Sequence, residues 1–204
     1  MQSAEIELKF PVGDAAALEA KLPALGFHLL TPRTFEHNVL FDTSDRSLRS
    51  RQEILRLRKY GARCVLTHKR PPQGADDSQY KTRIETETEI HDCDAIREIL
   101  SQLGYEEVFT YDKFRTEWEF PSETVGQGRH LVLDETPIGT WVELEGSTDW
   151  IDRIREALEI APSSCTTDSY GRLFESWKRD LGNTATSMTF EAVRDAGVPV
   201  LTAS

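Results

Sequence analysis

The strongest constraint on the fold is an alternation of apolar and charged residues with a period of two. Residues 5–10, EIELKF, put Ile6, Leu8 and Phe10 on one face of a strand and Glu5, Glu7 and Lys9 on the other. The pattern recurs at residues 54–58, 63–69, 81–90, 113–120, 131–134 and 141–145, and Val39-Leu40-Phe41 reads as a further short strand. Seven or eight strands joined mostly by short links predict antiparallel pairing. KYGAR, residues 59–63, predicts a hairpin turn centred on Gly61, and RPPQGADD, residues 70–77, predicts a mobile Pro/Gly loop.

Helices are fewer. Asp14, Asp94, Asp149 and Asp168 are the expected starts of four of them. Leu18, Leu22 and Leu25 form the inner face of the first, with Pro23 as a kink and Gly26 as its end. Ile96, Ile99, Leu100 and Leu103 serve the second, which Gly104 ends. Ile151, Ile154 and Leu158 serve the third, and Tyr170, Leu173, Phe174 and Trp177 the fourth. A strand carrying Glu-x-Glu precedes a helix at residues 5–7, 85–87 and 143–145. This echo suggests a pseudo-symmetric barrel built from two sheets. Residues 1–182 form the expected domain, and residues 183–204 read as a weakly patterned tail.

The polar face of each strand is charged rather than merely hydrophilic, and the charge is sorted by strand. Glu5, Glu7, Lys9, Glu143 and Glu145 lie on two strands; Arg83, Glu85, Glu87 and Glu89 on another; Arg56 with Arg58, and Lys113 with Arg115, on two more. Like charges two apart on one strand face repel, so something must compensate them. An α+β fold supplies the geometry: a closed eight-stranded antiparallel barrel, with apolar faces against outer helices and charged faces inward. Eight strands enclose just enough room for side chains or one small ligand. Grouped carboxylates suit a hard divalent cation, magnesium or manganese, and grouped Arg and Lys suit phosphate oxygens. The competing reading, an antiparallel sheet with a salt-bridged solvent face, explains one such strand better than it explains five.

A net charge of −11 argues against non-specific nucleic-acid binding. Neither a bilayer-spanning run nor a secretory signal is recognisable, which predicts a cytoplasmic protein without a membrane partner. Three cysteines, Cys64, Cys93 and Cys165, lack paired metal-ligand spacing. They argue against a disulfide framework or zinc site and for a reducing compartment. The five histidines show no ligand spacing.

The ordered set of motifs resembles the CYTH superfamily, the triphosphate tunnel metalloenzymes. It comprises Glu5-x-Glu7-x-Lys9, FDTSDRSLRSR at 41–51, Arg56-x-Arg58, Lys69 in THKRP and Arg83-x-Glu85-x-Glu87. Lys113-x-Arg115, LDETPIGTWVELE at 133–145 and DSYGRLF at 168–174 complete it. The resemblance covers residues 4 to about 178. It implies an eight-stranded tunnel holding a divalent cation and a triphosphate. Members include thiamine, inorganic and RNA triphosphatases and class IV adenylate cyclases. The family's C-terminal catalytic lysine has no firm counterpart, Lys178 being the nearest in position.

The resemblance implies a triphosphate clamp of Lys9, Arg56, Arg58, Lys69, Arg83, Lys113 and Arg115. It implies a first metal site from Glu5, Glu7, Glu143 and Glu145, with Asp134 or Glu85 in addition. Glu87 and neighbouring carboxylates would hold a second metal and its water, and Lys9, Arg58 and Glu87 stand nearest the chemistry. The expected function is a metal-dependent triphosphatase acting on a small triphosphate, as a monomer or homodimer. A class IV adenylate cyclase and a non-catalytic polyphosphate-binding module are the alternatives. The carboxylates at 5, 7, 85, 87, 143 and 145 weigh against the last, which needs only the cations.

Overall fold

In the computed structural model, residues 2–74, 80–121 and 128–197 are described. The chain runs β1 (Gln2–Val12), α1 (Ala15–Lys21), β2 (His28–Thr43), α2 (Ser47–Ser50), β3 (Ile54–Tyr60), β4 (Arg63–Arg70) and β5 (Lys81–Ile90). It continues through α3 (Cys93–Gln102), β6 (Tyr105–Glu119), β7 (His130–Thr136), β8 (Gly139–Glu145), α4 (Thr148–Ala157), α5 (Tyr170–Leu181) and α6 (Phe190–Asp195). The strands close in the order β1-β5-β4-β3-β2-β6-β7-β8, with every named strand pair antiparallel. The expected closed barrel is present as one continuous sheet, not two. Of the predicted mobile loop, residues 75–77 lie outside the described residues.

The apolar faces point outward, and helices cover them. Leu8, Phe10, Leu131, Leu133, Val142 and Leu144 pack with Leu22 and Phe27 and with Trp150, Ile151 and Ile154 of α4. Burial of each large side chain contributes about 1.5–3 kcal/mol. Val39, Phe41, Leu57 and Cys64 meet Leu100 of α3. Tyr170 and Phe174 of α5 join Tyr111, Ile138, Ala185, Met188 and Val193. Gly26 ends the first helical segment at φ 93°, and a Cβ there would lie 3.3 Å from the Phe120 ring.

Four sequence expectations need correction. Three helix caps lie one or two residues from the expected aspartates. Asp92, not Asp94, accepts from the amides of Asp94 and Ala95; Ser147 precedes α4; and the Ser169 hydroxyl accepts from Arg172 N–H. In each case a second residue able to cap lies within two positions of the expected one. Second, β2 starts at His28, eleven residues before the expected strand at Val39; irregular pairing between Leu29, Thr31 and Thr34 hides its period.

Third, Cys64 and Cys93 form a disulfide across a Cα–Cα distance of 5.8 Å. Cys64 stands opposite Ile90 at the end of β5, and the chain turns directly into α3, whose first residue is Cys93. The bond removes the cysteine-based argument for a reducing compartment. Fourth, residues 183–197 carry structure despite their weak pattern. Met188 exchanges backbone hydrogen bonds with Thr110 and Asp112 beside β6, and α6 buries Val193. Among the described residues, no helix is long and apolar enough to cross a membrane.

Candidate functional site

Strand register decides which side chains meet inside the barrel. Glu5 stands opposite Arg83, Glu7 opposite both Lys81 and Glu145, and Lys9 opposite Glu143. On the far wall Glu36 is opposite Lys113, Asn38 opposite Arg58, Arg56 opposite Thr67, and Lys69 opposite Glu85. Arg115 lies opposite Asp134. The charged faces recognised in the sequence therefore share one lumen. Its inner residues are largely dry: Lys9, Glu36, Lys113 and Asp134 are 2%, 0%, 1% and 0% exposed.

One half of the interior is a tightly bonded network. Asp134 accepts from Lys113 Nζ at 2.8 Å, from Arg115 Nε and Nη2 at 2.7 Å each, and from the Tyr170 hydroxyl at 2.7 Å. Glu143 bridges Arg115 Nη2 at 2.8 Å and Lys9 Nζ at 2.9 Å. Lys9 also donates to the Asp168 carbonyl at 3.2 Å and lies 4.0 Å from the Tyr170 ring centroid. Burial opposes every one of these charges. Opposite charges outweigh it, so Asp134 and Glu143 ionise below the usual carboxylate range and Lys9 above the usual ammonium value. Burial and the Asp134 carboxylate push the Tyr170 phenol well up, keeping it a donor.

The other half is somewhat more exposed. Lys69 donates to Glu5 at 2.6 Å and lies 3.2 Å from Glu85, while Lys81 donates to Glu7. Arg56 reaches Thr67 Oγ1 at 3.3 Å, which in turn donates to Glu87 at 3.0 Å, and Glu85 lies 3.8 Å from Arg56. Carboxylate oxygens of Glu5, Glu7 and Glu145 lie within 4.8 Å of one another. Burial, then the nearby Glu5 and Glu143 carboxylates, pushes the Glu145 carboxyl well above the usual range, although Arg115 and Lys69 pull it down. Glu7 and Glu145 are also directly opposed across β1 and β8, a pairing that costs stability unless a cation joins it.

A family model described as the CYTH domain matches residues 3–168. The chain belongs to the CYTH family. A Methanocaldococcus jannaschii relative, provisionally named an adenylate cyclase, is 30% identical over 155 residues, 76% of this chain and 83% of that one. The structure of a Pyrococcus horikoshii protein, PH1819, superposes with a TM-score of 0.64 at 26% identity, covering 84% of this chain and 98% of its own. A Hippeastrum protein, provisionally named an adenylyl cyclase and reported to have a dominant triphosphatase activity, has a TM-score of 0.58 at 21% identity. That match covers 86% of this chain and 96% of the other and bears on the fold.

Of the CYTH residues singled out from sequence, Glu5, Glu7 and Glu145 converge as one acidic trio. Glu143 and Asp134 pair with Lys9, Lys113, Arg115 and Tyr170. Glu85 joins Lys69 and Arg56, and Glu87 joins Thr67. Arg83 donates to the Thr82 carbonyl. Lys178 pairs with Glu175 of its own helix at 3.6 Å. Sequence reasoning missed Glu36, Asn38 and Lys81. Glu36 lies 3.3 Å from Lys113, 3.4 Å from Arg58 and 3.8 Å from Arg115. The alternation Thr34-Phe35-Glu36-His37-Asn38-Val39 could have shown it, had β2 been extended upstream.

Proposed function

We propose that the barrel interior is a triphosphate site and that the protein is a metal-dependent triphosphatase. Its substrate class is a small linear triphosphate: tripolyphosphate, thiamine triphosphate or a nucleoside triphosphate. One observation carries this reading. Lys9, Arg56, Arg58, Lys69, Lys113 and Arg115 enter one enclosed lumen from four different strands. Four of them, Lys9, Lys69, Lys113 and Arg115, already hold carboxylate oxygens at distances suited to phosphate oxygens. Arg83, opposite Glu5, extends the clamp.

Glu5, Glu7 and Glu145 fit magnesium or manganese, being hard oxygen donors within mutual reach. Glu145 fits in a further way: burial, then the crowding Glu5 and Glu143 carboxylates, raises its pKa, and a cation would relieve that crowding. When bound, such an ion would screen the phosphate charge and acidify water. The side chains do the rest. Lys69 and Lys81, which now hold Glu5 and Glu7, would turn toward phosphate oxygens. Asp134 and Glu143 keep Lys9, Lys113 and Arg115 aimed at the chain. Arg58 and Lys9 would offset the charge growing on the bridging oxygen as its bond to the terminal phosphorus breaks. Glu87, with Glu85, would orient the attacking water, and phosphate and a diphosphate would leave.

The relative provisionally named an adenylate cyclase favours a second reading. There the ribose hydroxyl of ATP attacks the α-phosphorus and pyrophosphate leaves, with the same clamp. Incubation with magnesium and tripolyphosphate, thiamine triphosphate or ATP, followed by assay of phosphate, pyrophosphate and cyclic AMP, separates the two. Phosphate release is the expected result. Cyclic AMP with stoichiometric pyrophosphate would replace the hydrolase reading by the cyclase. Full activity in the double variant Glu5→Gln, Glu7→Gln would remove the acidic trio from the site.

A further inference from the structure

Glu36 is, like Asp134, fully enclosed in the cation cluster, but its bonding is unlike that of its neighbours. Asp134 and Glu143 are gripped by short, directed hydrogen bonds. Neither oxygen of Glu36 accepts a hydrogen bond among the described residues, although the side chain is 0% exposed. Its cations stand back, at 3.3 Å for Lys113, 3.4 Å for Arg58 and 3.8 Å for Arg115. Their close donors point elsewhere: Lys113 and Arg115 to Asp134, and Arg58 Nε to the Asn38 side-chain oxygen at 3.2 Å. Glu36 thus orients none of these groups. What it contributes is one fixed negative charge. Burial opposes that charge, but Lys113, Arg115, Arg58 and Arg56 hold the carboxyl well below its usual range, so it stays ionised at neutral pH.

We infer that Glu36 is a built-in counter-anion that sets how much phosphate charge the barrel accepts, and so discriminates among phosphate chains of different length. The inference rests on the proposed triphosphate site. A ligand entering beside Arg58, Lys113 and Arg115 meets those cations already partly neutralised. Coulomb repulsion from Glu36 grows in proportion to the ligand's charge, so the penalty rises from diphosphate to triphosphate to tetraphosphate. Removing a carboxylate from an anion site should therefore strengthen binding, by a factor that increases with chain charge. A purely structural role for Glu36 would change all three chains alike, or weaken all of them.

The test is calorimetric titration of pyrophosphate, tripolyphosphate and linear tetraphosphate into the wild type, Glu36→Gln and Asn38→Asp, first with chelator and then with magnesium. Glu36→Gln should bind tripolyphosphate about tenfold more tightly, with a smaller gain for pyrophosphate and a larger one for tetraphosphate. Asn38→Asp adds a carboxylate beside Arg58 and should produce the opposite gradient. It keeps the inference testable if Glu36→Gln does not fold. Equal or weaker binding in Glu36→Gln, or one common factor for all three chains, overturns the role of Glu36 alone. So does an Asn38→Asp variant that does not weaken binding in step with chain charge. A wild type that binds none of the chains, with or without magnesium, overturns the triphosphate site itself and this inference with it.

Discussion

Replacing Asp134 by asparagine removes one negative charge and almost no volume from the barrel interior. In the wild type four donor contacts of 2.7–2.8 Å converge on this carboxylate, from Lys113, Arg115 and Tyr170. Asparagine can accept at one oxygen only, and its amide would face cationic donors. Breaking a buried ion pair by removing one partner costs about 3–5 kcal/mol, because the other charge stays buried. Here the cost falls at the low end. Lys113 keeps Glu36 at 3.3 Å, and Arg115 keeps Glu143 at 2.8 Å. About 3 kcal/mol in a chain of 204 residues lowers Tm by about 6–12 °C. Differential scanning calorimetry at pH 7 with chelator present measures this without any ligand. A fall of less than about 2 °C would refute the claim that Asp134 neutralises a buried cation cluster.

Other outcomes follow from the same contacts. Tyr170→Phe keeps the ring under Lys9 and loses only the hydroxyl bond to Asp134; it should cost about 1 kcal/mol in urea denaturation and raise KM for tripolyphosphate more than it lowers kcat. A KM unchanged within twofold would detach Tyr170 from the clamp. Glu36, Asp134 and Glu143 have folded-state pKa values below those of the unfolded chain, where such groups take protons near pH 4. Their stabilisation is present above about pH 4 and lost as pH falls below it, whereas Glu145, raised in the folded state, favours the fold more as pH falls toward about 4, so Tm should drop steeply only toward pH 3. A Tm that holds to pH 3 would contradict this. Cys93→Ser opens a link spanning a sequence separation of 29 and should lower stability by about 3–4 kcal/mol by loop-closure entropy. Non-reducing peptide mapping should recover a Cys64–Cys93 peptide from the wild type.

Much of the barrel was legible because its interior is charged. Strands such as Glu5 to Phe10 and Lys113 to Phe120 alternate cleanly, so the period announces both the strand and its two faces. What the pattern could not supply was register, and register decides partners. It brings Lys81 to Glu7, and it opposes Glu145 to Glu7 so that an acidic trio forms with Glu5 while Glu143 is taken by Lys9. Glu36 escaped notice because the first half of β2 carries Pro32 and irregular pairing, and because His37 puts a polar side chain on the outer face, where it meets Asp112 at 2.7 Å. The disulfide is a tertiary fact: it depends on the β4–β5 pairing and on α3 starting directly after β5. Residues 183–197 look unpatterned because only Ala185, Met188 and Val193 among them are fully buried in the core, with Ala196 packed at its edge.

The central claim is that the charged lumen binds and cleaves a triphosphate with help from a divalent ion at Glu5, Glu7 and Glu145. Phosphorus NMR of tripolyphosphate with the wild-type protein, before and after addition of magnesium, tests it most directly. The account requires broadened or shifted chain resonances on adding protein, then conversion to phosphate and pyrophosphate once magnesium is present. Resonances unaffected by a molar excess of protein, with magnesium present, would contradict it.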